Sequence, residues 1–139
     1  MSFVETTARL TDEGVSAMLI AAIGAAKAMG QPQCIVIVDV SGVALASFRM
    51  SGSRYLSLKS AAAKARTAAS IGAPSDSLPE HVRPAIAAAS GGEVTGLRGG
   101  LPIRIDGVLL GGIGVGSGSG EQDEIVARAA LAAIGAGTA

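Results

Sequence analysis

The chain predicts an α+β fold, an antiparallel sheet flanked by helices, and two observations carry that class. Two tight-turn dipeptides, Ser41-Gly42 and Asp106-Gly107, each separate apolar runs of strand length, so the strands pair as the hairpins 34–50 and 101–115. Between and around these hairpins, alanine-rich segments repeat apolar residues at helical spacing. With 139 residues, one domain spanning 1–139 is expected, long enough to bury a core.

The elements follow in order. Thr11 has the character of an N-cap, and Asp12 and Glu13 place negative charge at the positive end of a helix dipole. Val15, Met18, Leu19, Ala22 and Ala26 form that helix's apolar face, and Gly30 with Pro32 stops it. "CIVIVDV" is an unbroken apolar strand, a pattern expected when both faces are covered. Val43 to Met50 returns as its hairpin partner. A second helix runs from about Ser53 to Ser70, with Leu58, Ala61, Ala65 and Ala68 on its sheet-facing side. Beside that face lies a polar stripe of Ser57, Ser60, Lys64 and Thr67. "GAPSDSLPEHVRP" is a proline-rich loop into a short helix, "AIAAAS", which Gly91-Gly92 breaks. Glu93 to Leu97 is expected as a short strand, giving five strands in all. Pro102 places its strand at an edge, where a missing N–H is tolerated. Ser119 and Gln122 have capping-box spacing and start the last helix.

"GGIGVGSGSGEQDE", from Gly111 to Glu124, invites a phosphate-loop reading that its spacing refuses. From Gly112 the sixth position is Ser117 and from Gly116 it is Glu121, so no G-x-G-x-x-G exists, and no lysine follows to make a P-loop. The preceding strand belongs to a hairpin and not to a βαβ unit. Glu121, Asp123 and Glu124 would repel phosphate from the following helix start. The glycines instead let a helix cross the sheet closely, and the acidic turn caps the last helix.

Composition excludes several functions. Eleven basic and 11 acidic residues cancel, which argues against nucleic acid as a partner. Phe3, Phe48 and Tyr55 are the only aromatics, too few for base stacking. Cys34 is the sole cysteine and sits in an apolar run, the setting of an inert buried thiol. One histidine without a cysteine partner cannot complete a metal site. The apolar stretch Val15 to Met29 is interrupted by Lys27 and is shorter than the ~20 residues a membrane span needs. The N-terminus lacks the pattern of a signal peptide, so a cytoplasmic protein without membrane contact is expected.

Taken together, two long segments resemble a known family. "VDVSGVALASFRMSGSRYLSLKSAAAKARTAA" resembles the V-D-x-x-G-x-L-x-x-x-x-R-M-D-G-A…S…A…K-A-x-T-A segment of the GlcG/HbpS-like, or haem-degrading domain, family. "GGLPIRIDGVLLGGIGVGSGSGEQDEIVARAALAAI" resembles its second signature, G-G-x-P through G-V-S-G to Q-D-E. The family includes the C-terminal domain of PduO-type corrinoid adenosyltransferases. The resemblance implies a five-stranded antiparallel sheet of profilin-like type, assembly into dimers or larger rings, and haem, a corrinoid or another small ligand in some members. Some relatives resemble small lyases acting on aromatic hydroxylamines. Ser51 stands where the family commonly has Asp, and Ser117-Gly118-Ser119 loosens the usual G-V-S-G, so no single relative's ligand transfers directly.

Candidate site residues follow from both motifs. Arg49, Met50 and Ser53 close the first hairpin, and Arg49 can clamp a carboxylate in bidentate fashion or form an intersubunit salt bridge. Lys64 and Thr67 lie on the polar stripe, where Lys64 is either an anion anchor or a lysine whose stem covers the sheet while its head reaches water. Gly99, Gly100 and Glu121 lie at the glycine turns, where backbone N–H groups can face a ligand. His81 reads as a solvated loop residue or as a haem ligand. Glu121 and Asp123 diverge on a helix and form no acid pair.

Two function classes remain open: a small-ligand-binding protein, and a small cofactor-independent lyase or isomerase in which Lys64, Arg49 or Tyr55 act on an organic acid or aromatic substrate. In either class the small-residue helix faces suit close contact between copies, so a homo-oligomer is expected. Light scattering should find a dimer or larger assembly at micromolar concentration, and a stable monomer would contradict it.

Overall fold

The computed structural model describes residues 2–137. Helix α1 (Asp12–Met29) precedes the hairpin β1 (Cys34–Asp39) and β2 (Ala44–Arg49), and α2 (Tyr55–Ile71) follows. Two 3-10 turns, Ser75–Ser77 and Glu80–Val82, lead into the short α3 (Arg83–Ala89). The hairpin β3 (Gly100–Ile105) and β4 (Val108–Gly116) and helix α4 (Gly120–Ala133) complete the chain.

The sheet is antiparallel throughout, in the order β2-β1-β4-β3. It has four strands, not five. The expected strand at 93–97 is an irregular connection whose N–H groups bond to hydroxyls and not to a neighbouring strand. Val94 donates to Ser90 Oγ at 3.0 Å, Thr95 to Thr67 Oγ1 at 2.9 Å and Leu97 to Thr95 Oγ1 at 3.2 Å. Once hydroxyls, two of them local and one from α2, satisfy those donors, little remains to drive ladder pairing.

Local signals account for the element ends. Thr11 Oγ1 accepts from Gly14 N at 3.0 Å, and Gly30 ends α1 in the left-handed region at φ 69°. Ser119 and Gln122 form a reciprocal capping box. Asp106 and Gly107 both have positive φ, 51° and 77°, as a two-residue hairpin loop demands. β3 is an edge strand, and its Pro102 pairs with Gly112 on the one side that is occupied.

The continuous apolar character of β1 is explained by cover on both faces. Ile35 and Ile37 point into the larger core with α1 and α4, among Met18, Ala22, Ile103, Ile113, Val126 and Leu131. Cys34, Val36 and Val38 face α2 and pack on Ala61, Ala65 and Ala69. On that second face the separation between helix and sheet is set by glycine. A Cβ at Gly112 would collide with the carbonyl oxygen of Ala65, and one at Gly114 with that of Ala61. Glycines thus let α2 lie backbone-to-backbone on β4, the geometric role expected of the glycine-rich stretch.

That contact predicts opposite effects for two glycine substitutions. Gly114→Ala should lower stability by about 1–3 kcal/mol through overpacking. Gly24→Ala, where nothing lies within 4 Å of the added carbon, should be neutral or stabilise by up to ~1 kcal/mol. Urea unfolding of both variants checks the pair, and equal losses would refute the close-approach account.

Candidate functional site

Register gathers the two sequence motifs at one end of the sheet. Cys34 at the start of β1 pairs with Arg49 at the end of β2 and with Gly116 at the end of β4, while Gly100 opens β3 alongside. The N-terminal half of α2 crosses this end and brings the first three members of the polar stripe with it. A cavity of about 260 Å³ opens there, walled by Arg54, Ser57, Ser60 and Lys64, by Leu97 and Arg98, and by Ser117, Gly118, Gly120 and Asp123.

Lys64 is the centre of the site, and its head does not reach bulk water. The residue is 5% exposed, and Nζ donates to Val115 O at 2.8 Å and to Asp123 Oδ2 at 2.9 Å. Asp123 is 2% exposed, and its Oδ1 accepts from Gly118 N at 3.0 Å. The carboxylate therefore links α2, the end of β4 and the start of α4. An ammonium carries three N–H donors. Among the described residues Lys64 uses two, which leaves the third at the cavity wall.

The glycines at 99 and 100 make room for this lysine. Gly99 has φ 123°, and a Cβ there would lie 2.8 Å from Val115 O and 3.1 Å from Lys64 Nζ. At Gly100 a Cβ would collide with Lys64 O, and its N–H already donates to Ser75 Oγ at 2.9 Å. Both glycines thus pack against Lys64, and Gly100 has no N–H free for a ligand.

The other expected residues fall at different distances from the cavity. Thr67 is fully buried, donates to Ala63 O at 2.7 Å and accepts from Thr95 N, so its hydroxyl anchors the 93–97 connection. Met50 is buried, and its Sδ accepts from Gln33 N at 3.4 Å. Ser53 Oγ donates to Met50 O at 2.5 Å, and the Cys34 thiol lies 3.5 Å from it, in keeping with an inert buried sulfur. Arg49 is exposed on the edge strand outside the cavity wall. Tyr55 is 65% exposed, with Lys59 Nζ 5.9 Å from its ring centroid. Glu121 is exposed on the first turn of α4, and His81 lies exposed in the second 3-10 turn; neither lines the cavity. No group of three or more His, Cys, Asp or Glu residues able to hold a metal occurs among the described residues.

Three contributors escaped sequence reasoning. Asp123 was read as a helix-capping charge beside Glu121. The two do diverge, but Asp123 points inward, on the buried face that also carries Val126, Ala127 and Ala130. That spacing is visible once Ser119 is taken as the cap. Arg54 is exposed at the rim, and among the described residues its guanidinium has no hydrogen-bond or ion-pair partner. Arg98 is held by Glu124 at 2.7 Å, and Arg128 meets the other oxygen of that carboxylate at 2.7 Å. The hydrogen bond from Arg98, then that from Arg128, lowers the Glu124 pKa against the opposing effect of its burial; the same bond raises that of Arg98.

Comparison with known proteins bears on the family and the fold. Residues 10–132 match the family model for haem-degrading protein HbpS-like. The corrinoid adenosyltransferase PduO of Salmonella typhimurium is 36% identical over 124 residues, covering 85% of this chain but only 37% of that longer protein. A crystal structure of a PduOC:heme complex superposes with TM-score 0.87 at 31% identity, covering 94% of this chain and 99% of the other. A double mutant of Streptomyces reticuli HbpS gives TM-score 0.83 at 33% identity, covering 93% and 89%.

The buried ion pair predicts a non-additive stability pattern. Lys64→Met alone should cost about 3–5 kcal/mol, because it strands the Asp123 carboxylate in the interior. Adding Asp123→Leu should recover most of that loss. Urea unfolding of single and double variants checks this, and simple additivity would refute it.

Proposed function

The chain belongs to the HbpS-like family of haem-degrading proteins, and from that premise we propose that it binds a small, carboxylate-bearing ligand at the Lys64 end of its sheet. The observation that carries the reading is the buried ammonium of Lys64, held by Asp123 and Val115 O, with one N–H left over among the described residues at a cavity that Arg54 also lines. One point donor and one planar fork lining the same cavity, with Ser57 and Ser60 also in its wall, suit the two oxygens of a carboxylate.

The size of the cavity limits what it encloses. At about 260 Å³ it lies just below the ~300–1,000 Å³ of sites that enclose drug-sized ligands. A small organic acid fits inside. A haem would be held through a propionate by Arg54 and Lys64, and the exposed side chain of Leu97 offers it apolar surface. The PduOC:heme complex supports haem as a first candidate, and a corrinoid is a second, given the name of the Salmonella relative.

Binding is favoured over lyase or isomerase chemistry by the state of the one carboxylate at the cavity. Asp123 is already engaged by Lys64 and by Gly118 N, so it is poorly placed to abstract a proton as a general base. The protein acts as a homo-oligomer in the cytoplasm, and the edge strand β2 with exposed Leu45 and Phe48 is the surface available for self-association.

Two titrations test the ligand reading: haemin followed by visible absorption, and benzoate followed by calorimetry. Arg54→Gln should weaken binding of both by about tenfold, the loss of roughly 1.4 kcal/mol from a charge-assisted contact. Haem dimethyl ester, which lacks free propionates, should bind as weakly to wild type as haemin does to the variant. Equal affinities across all three comparisons would refute a carboxylate site.

A further inference from the structure

Gln33 immediately precedes β1 and is fully buried, yet among the described residues neither its Nε2 nor its Oε1 has a hydrogen-bond partner. Its backbone is well placed, with Gln33 O accepting from Met50 N at 3.1 Å. The side chain lies beneath the turn at 117–118. A Cβ built on Gly118 would stand 2.7 Å from Gln33 Nε2 and 2.9 Å from both Asp123 Oδ1 and Gln122 Oε1, so these atoms flank the same small space; Gln122 Oε1 is held by Ser119 N in the capping box. Asp123 Oδ1 is the oxygen that accepts from Gly118 N. A buried amide in this state is destabilising, and Asp123 Oδ1, which bonds to Gly118 N, makes no hydrogen bond to it in this arrangement.

The turn itself is held in a costly conformation. Ser117 has φ 95°, a left-handed backbone that a residue with a Cβ seldom adopts. Two tethers from elsewhere maintain it: Arg54 N donates to Ser117 Oγ at 2.8 Å, and Gln31 Nε2 donates to Ser117 O at 3.0 Å. An orphaned amide and a strained residue therefore meet at one wall of the proposed cavity.

We infer that Gln33 is a positioning residue for the ligand site, acting through Asp123. When a carboxylate enters, Gly118 N–H leaves Asp123 Oδ1 and donates to the ligand, and Gln33 Nε2 takes the vacated oxygen. The exchange conserves the number of bonds to Asp123, keeps its pairing with Lys64 and gives the buried amide a partner. Ligand binding thereby recovers free energy that the unliganded fold forgoes. This inference rests on the carboxylate-site reading above.

The experiment pairs affinity with stability. Gln33→Met keeps the volume of the side chain and removes the unpartnered amide, so it should leave Tm unchanged or raised while weakening benzoate and haemin binding about tenfold, the worth of one charge-assisted bond. In wild-type protein, benzoate should shift the NMR resonances of both the Gly118 amide and the Gln33 side-chain amide. A variant with wild-type affinity, or one that loses Tm together with affinity, overturns the inference. So do Gln33 side-chain resonances in wild type that ignore benzoate, whatever the variant does. If Arg54→Gln weakens binding and Gln33→Met does not, the site stands and only this inference falls. If wild type binds neither probe, both fall.

Discussion

The close approach of α2 to β4 is the constraint on which the rest of the molecule depends. Gly112 and Gly114 remove the side chains that would otherwise hold the helix off the sheet, and carbonyl oxygens of Ala61 and Ala65 occupy that space. At such a separation the alanines of α2 are large enough to fill the layer between helix and sheet. The same depth carries Lys64, one helical turn beyond Ala61, under the sheet end and within reach of Val115 O and Asp123. A helix at the ordinary distance from a sheet of larger residues would leave that lysine in solvent.

The site is consequently a by-product of packing as much as of polar design. Its lysine, its carboxylate and the glycines at 99 and 100 are all positioned by contacts that also stabilise the fold. At the rim the backbone of Arg54 and Leu97 holds neighbouring turns, while their side chains are exposed. Altering one member of the buried pair strands the other in the interior, whereas the rim side chains can change without that penalty.

Legibility in the sequence followed the range of the interactions. Caps, hairpin turns and the edge position of Pro102 were readable because each is decided by a few adjacent residues. The 93–97 segment was not, since the Thr95 N–H finds Thr67 Oγ1, a hydroxyl that the chain brings near only after folding. Lys64 stood out as a charge within an alanine-rich helix, but its partner Asp123 lies 59 positions away and resembled an ordinary capping acid. Gln33 gave no local signal, because its orphaned state arises from the turn at 117–118 above it.

The glycine content of β4 also bears on how the protein folds. Four of the nine residues in Val108–Gly116 are glycine, so this central strand has little β propensity of its own and the largest backbone entropy to lose. Its hairpin with β3 cannot persist alone; it gains order only as α2 and β1 close around it. Strand, helix and cavity therefore depend on the same packing, and the candidate site requires the core around it.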